Sequence, residues 1–115
     1  MTIYGVSQSS GEERRLKVER GATGIVLTFL DHAGGKERGR VLVQADDLLA
    51  AVTDPPAGGS RVEGVCPSRG AAVPLEVEVR RNEVLLTARG PGEAVDAAVG
   101  LDDFSDALEA AIPRG

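Results

Sequence analysis

The chain is written twice. Displaced by 59 positions, residues 3–30 align with 62–89 without a gap: Gly5 falls on Gly64, Val6 on Val65, Ser9 on Ser68, Gly11 on Gly70, Leu16 on Leu75, Val18 on Val77 and Leu27-Thr28 on Leu86-Thr87. A loop three residues shorter then restores register, so that Val43, Asp46 and Asp47 meet Val99, Asp102 and Asp103. An internal repeat of about 55 residues limits the fold to those in which one supersecondary unit packs against its own copy. The 115 residues, 42% of them hydrophobic, suit a single domain with its own core. Residues 1–54 form the first unit and 55–115 the second, joined through the Pro- and Gly-rich connector TDPPAGGS at 53–60.

Each unit reads as four strands and a helix. TIYGVS and RRLKVER alternate apolar with polar residues, Leu16 and Val18 on one face and Lys17 and Glu19 on the other. GIVLTFL is more apolar, as a central strand requires, and RVLVQ follows a turn-rich stretch. In the second unit the corresponding pieces are RVEGV, PLEVEVR, EVLLTA and AVDAAV. The reading is an α+β fold of two tandem ββββα units, strand-rich and antiparallel.

Two pairs of acids open the helices. Asp46-Asp47 precede Leu48, Leu49 and Val52, and Asp102-Asp103 precede Phe104, Leu108 and Ile112; both apolar sets fall on one helical face. Aspartate at a helix start is favoured by capping and by the helix dipole. A pair repeated at the same element boundary therefore reads as helix initiation, with the acids as caps, and not as a metal or catalytic site. The faces Leu48/Leu49/Val52 and Phe104/Leu108/Ile112 are the candidate protein interface, packing between the units or between subunits.

This strand-helix order is similar to that of the PC4/Whirly/PUR class, in which two such units make two curved antiparallel sheets with helices at their ends. Within it, LKVERGATGIVLTF (16–29), VQADDLLAAVTDPPAGGSRVEGVCP (43–67) and EAVDAAVGLDDFSDALEAAI (93–112) resemble the SsgA-like family of actinobacterial sporulation and cell-division proteins. The resemblance implies a homo-oligomeric, non-enzymatic protein that sites or assembles the division septum by recruiting division proteins. The wider class implies an alternative, single-stranded DNA or RNA binding, with transcription regulation as its use.

Chemistry-bearing motifs are sparse. His32 is the one histidine and has no Cys or carboxylate partners at zinc spacing, so a solvated turn residue is expected. Cys66 in GVCPSRG excludes an internal disulfide; a phosphatase-type spacing would need Arg at 72, which is Ala. AGGKERG and PPAGGS lack the order of a phosphate-binding loop. Neither an enzyme nor a cofactor is expected. No apolar run approaches the ~18 residues of a membrane span and no signal segment opens the chain, so a cytoplasmic protein without membrane insertion is expected.

Net charge is −5, against the positive excess that phosphate contacts demand. The first unit has seven basic residues to eight acids and the second six to ten, so one sheet face is mixed-to-basic and the other more acidic. A nucleic-acid groove would consist of Arg14, Arg15, Lys17, Arg20, Arg38 and Arg40, with Tyr4 as the stacking platform. Protein partners are the expectation that charge and scarce aromatics favour.

Overall fold

The computed structural model describes residues 1–21, 23–32, 34–90 and 94–112. These form nine strands and two helices: β1 (Thr2–Val6), β2 (Glu13–Arg20), β3 (Ile25–Asp31), β4 (Glu37–Val43), α1 (Ala45–Thr53), β5 (Ser60–Val62), β6 (Gly64–Val65), β7 (Leu75–Arg80), β8 (Glu83–Ala88), β9 (Val95–Gly100) and α2 (Leu101–Ala111). The class is α+β, dominated by antiparallel pairing. All nine strands belong to one sheet, in the order β5-β7-β8-β9-β1-β2-β3-β4-β6, where two sheets were expected.

The two ends of that order are neighbours in the chain. β5 pairs with β7 and β6 pairs with β4, and only Glu63 separates them. The stretch 60–65 is thus one strand in two pieces, and through it the sheet closes on itself. RVEGV, expected as one strand, is split at Glu63, although Gly64 O still accepts from Val73 N–H and Val65 pairs with Ala72 beyond it.

Register recurs between the halves. Thr2↔Lys17 and Ile3↔Leu16 correspond to Arg61↔Glu76 and Val62↔Leu75, and Leu16↔Phe29 corresponds to Leu75↔Ala88. The junctions match as well: Gly5↔Val99 and Val6↔Ala98 join β1 to β9, while Gly64↔Val43 and Val65↔Leu42 join β6 to β4. Both junctions need glycine. A Cβ on Gly5 would fall on the Ala98 carbonyl oxygen, and one on Gly64 would collide with Val41 Cγ2.

Alternation fills the interior. Ile3, Leu16, Val18, Ile25, Leu27, Phe29, Val41 and Val43 from the first half meet Val62, Leu75, Val77, Val84, Leu86, Val95 and Val99 from the second. Each helix reaches the other half: α1 packs on β5 and β7, and α2 on β2 and β1 as well as on β9 and β8 of its own half. Leu48, Val52, Phe104 and Leu108 are buried in this core, and Leu49 and Ile112 are partly buried against it. Of the two placements expected for this set, between the units or between subunits, these contacts are of the first kind: four of its six side chains pack inside the chain. The capping expectation needs correcting. Gln44 and Gly100 are the N-caps, without side-chain cap bonds, and Asp46, Asp47, Asp102 and Asp103 sit in the first turns. There they favour the positive end of the helix dipole without capping it.

Candidate functional site

The helices follow the ends of β4 and β9. At the opposite end, where β1, β3, β6 and β8 finish and β2, β4, β7 and β9 begin, polar side chains collect. Arg14 shares the parity of Leu16 and Val18, so it points inward and is only 7% exposed. Its Nη1 lies 4.0 Å from Asp31, its Nε is buried without a hydrogen-bond partner among the described residues, and Arg38 holds the same carboxylate with Nε donating at 2.9 Å to both oxygens. The Arg38 hydrogen bond, with Arg14 and Lys36 adding their charge, holds the Asp31 carboxyl below its ordinary value.

Beside this triad the turn after β1 wraps a second carboxylate. Asp96 Oδ1 accepts from Ser7 Oγ and Ser9 Oγ, each at 2.7 Å, and Oδ2 accepts from the N–H groups of Gln8 at 2.8 Å and Ser9 at 3.2 Å. Partial burial pushes the Asp96 carboxyl up, but these four donors outweigh it and leave it below its ordinary value. A depressed folded-state value means that Asp96 stabilises the fold above the unfolded-state value and that this contribution is lost as pH falls through the folded one. Asp96→Asn is accordingly expected to be less stable at neutral pH and to show a shallower loss of stability below about pH 4, read by urea denaturation across pH.

The turn after β6 repeats the geometry with other residues. Cys66 takes the place of Ser7, Ser68 that of Ser9, and Arg40 that of Asp96. The backbone bonds correspond: Ser7 N–H to Glu12 O and Gly11 N–H to Ser7 O in one turn, Cys66 N–H to Ala71 O and Gly70 N–H to Cys66 O in the other. Cys66 Sγ lies 3.3 Å from Ser68 Oγ. That contact and the N–H groups of Ser68 and Arg69 hold the thiol below its ordinary value. Two cavities flank the shared Arg38 and Val95: one of about 250 Å³ on the Asp96 side, one of about 340 Å³ on the Cys66 side.

The expected nucleic-acid groove does not assemble. Arg14, Arg38 and Arg40 gather at this rim, where Arg14 is buried, Arg38 is held by Asp31 and Arg40 Nη2 donates to Glu37 at 2.6 Å. Tyr4, Arg15 and Lys17 lie on β1 and β2 with outward parity; Lys17 is 3.7 Å from Glu19. Tyr4 is 62% exposed and meets His32 edge-on at 5.8 Å. His32 itself sits 3.4 Å from Glu13. Arg20 lies at the other end, beside Asp106 and Glu109 of α2. One side of the sheet cannot present all six cations because Arg14 is odd in the alternation that sends Arg15 and Lys17 outward.

Asp31, Asp96 and Arg69 were not singled out by sequence reasoning. The signal for Asp96 was available in the repeat, which aligns it with Arg40 and so marks a charge reversal at one structural position. Among the described residues no group of three His, Cys, Asp or Glu side chains is arranged to hold a metal ion, and no helix is long and apolar enough to cross a membrane. No protein-family model matches this chain, and neither does any curated protein or solved structure.

Proposed function

We propose that this chain is a duplicated ββββα protein of the Whirly/PC4 kind, SsgA-like, and that it is a non-enzymatic scaffold that binds protein, first of all further copies of itself. Septum siting or assembly, through recruited division proteins, is the use that the SsgA-like resemblance adds. The observation that carries the reading is a contrast between equivalent outward positions. One half offers Tyr4, Arg15 and Lys17; at the same register the other offers Glu63, Pro74 and Glu76. Of the four exposed large hydrophobic residues among the described ones, Met1, Tyr4 and Val6 belong to or adjoin β1, while Val65 matches Val6 in the other half.

Two faces of like shape and opposite chemistry fit each other between neighbouring copies. Because the faces differ, such contact is head-to-tail, and it closes into a ring or runs on as a filament. The surface pairs Lys17–Glu19 and Arg89–Glu76 exchange partners at little cost, since exposed ion pairs contribute only about 0–1 kcal/mol. Nucleic acid is the less favoured occupant, because the chain carries a net charge of −5 and Tyr4 is a single platform.

Sedimentation velocity at several concentrations tests this. Wild-type protein should associate, Lys17→Glu and Glu76→Lys should each weaken association, and the double exchange should restore it. A wild-type monomer at all concentrations, or a double variant no better than either single one, overturns the proposal. Anisotropy of a labelled single-stranded oligonucleotide that rises with wild type and not with Arg15→Glu/Lys17→Glu would give the face to nucleic acid instead.

A further inference from the structure

The larger rim cavity has no role in that assembly. Its 340 Å³ are lined by three arginines, Arg38, Arg40 and Arg69, by Cys66, and by an apolar floor that includes Val73, Ala88 and Val95. No carboxylate is among its described lining residues, whereas Glu12 and Asp96 both line its smaller neighbour. Arg69 is exposed and has no ion-pair partner among the described residues. Arg40 gives Glu37 a bond from Nη2, and a guanidinium has five N–H donors, so it retains others for a ligand.

The molecule also contains a demonstration of what such a turn can hold. In the first half the turn after β1 closes around the Asp96 carboxylate with two hydroxyls and two N–H groups. In the second half the internal carboxylate is gone and Arg40 stands at its position. The inward pair Arg14↔Asp31 is likewise replaced by Val73 and Gly90, which turns a charged plug into an apolar recess. One half carries its own anion. The other has cations and a space.

We infer that the Cys66-side cavity is a binding site for a small amphipathic anion, a carboxylate or phosphate monoester on a compact apolar body. Arg69 and Arg40 receive the anionic head, with Arg38 at its side, and Val73, Ala88 and Val95 receive the body. Arginine suits either head because its planar fork bonds two oxygens at once. Val73 and Ala88 give the site its preference for a ligand larger than an inorganic ion, chiefly because contact removes the ligand's own apolar surface from water; the two side chains are themselves only 7% and 4% exposed.

Cys66 is the one cysteine in the chain and lines the cavity, so it serves as a reporter. The intact protein is alkylated with iodoacetate and with iodoacetamide, and the ratio of the two rates is compared with that of the urea-unfolded chain. Taking the ratio removes the effect of thiol ionisation, which both reagents share. A cationic cavity should raise the ratio about tenfold, as local enrichment of an anion does, and Arg69→Ala, a surface change, should return most of it. Phenyl phosphate should then protect Cys66 from iodoacetate at concentrations where inorganic phosphate does not. A ratio equal to that of the unfolded chain, or one unchanged in Arg69→Ala, refutes the anion site. Equal protection by the two phosphates refutes the apolar body.

Discussion

Phe104→Ala is expected to cost the fold about 3–5 kcal/mol, the range for emptying a buried aromatic site. Phe104 is wholly buried with Ala107, Leu108 and Ala111 on the inner face of α2, which packs on β2 and β1 of the first half and on β9 and β8 of the second. Domains of this size are stable by only about 5–15 kcal/mol, so the variant should retain a fraction of its margin. Its urea midpoint should fall by on the order of 2 M. The position it matches in α1 is Leu48, also wholly buried, and Leu48→Ala should cost about 2–5 kcal/mol for the same reason. Leu49→Ala, one residue round the helix and only partly buried, is the control and should cost clearly less. If Phe104→Ala kept its midpoint and instead separated an oligomer into stable monomers, the helix face would lie between subunits and the packing described above would be wrong.

Gly5→Ala should be nearly as damaging, though it adds a single methyl. The new Cβ would overlap the Ala98 carbonyl oxygen and come within 2.8 Å of Val99 Cγ1. Neither can yield easily: one is backbone in a paired strand, the other a core side chain that is 2% exposed. Relief requires β1 to move away from β9 along the one line where the first and last strands meet. Overpacking of this kind costs about 1–3 kcal/mol and sometimes more, and the upper part of that range is expected. Gly64→Ala should behave alike, because its Cβ would meet Val73 O at 2.8 Å as well as Val41. Amide hydrogen exchange reads both locally: protection should fall first on β1 and β9 in one variant and on β6 and β4 in the other. Unchanged protection with a loss below about 0.5 kcal/mol would mean that the junction is looser than drawn.

Most of the elements were legible in the sequence, because apolar alternation is a local property. Leu16 and Val18 announce an inward face, and the same parity, followed two residues back, puts Arg14 inside. Reading Arg14 as a surface cation let its charge override its position. Closure was not legible. The pairing of β1 with β9 and of β4 with β6 joins residues far apart in the chain, and no short stretch carries a trace of it. At the rim, Asp96 is bound by residues 87 to 89 positions away. Only its alignment with Arg40 hinted that this position carries charge for a purpose.

The manner of closure also bears on how the chain is made. A sheet whose first strand is completed by its ninth cannot be finished while the C-terminal third is still inside the ribosome. β1 to β4 can form successive hairpins as they emerge, but the outward side of β1 waits for Val99 and Ala98, and that of β4 for Gly64 and Val65. Until then two strand margins stay open to any other extended chain. Non-local pairings of this kind slow folding, because loops must be closed before contact repays them. Synthesis rate and chaperone access should therefore influence the yield of this small protein more than its final stability does.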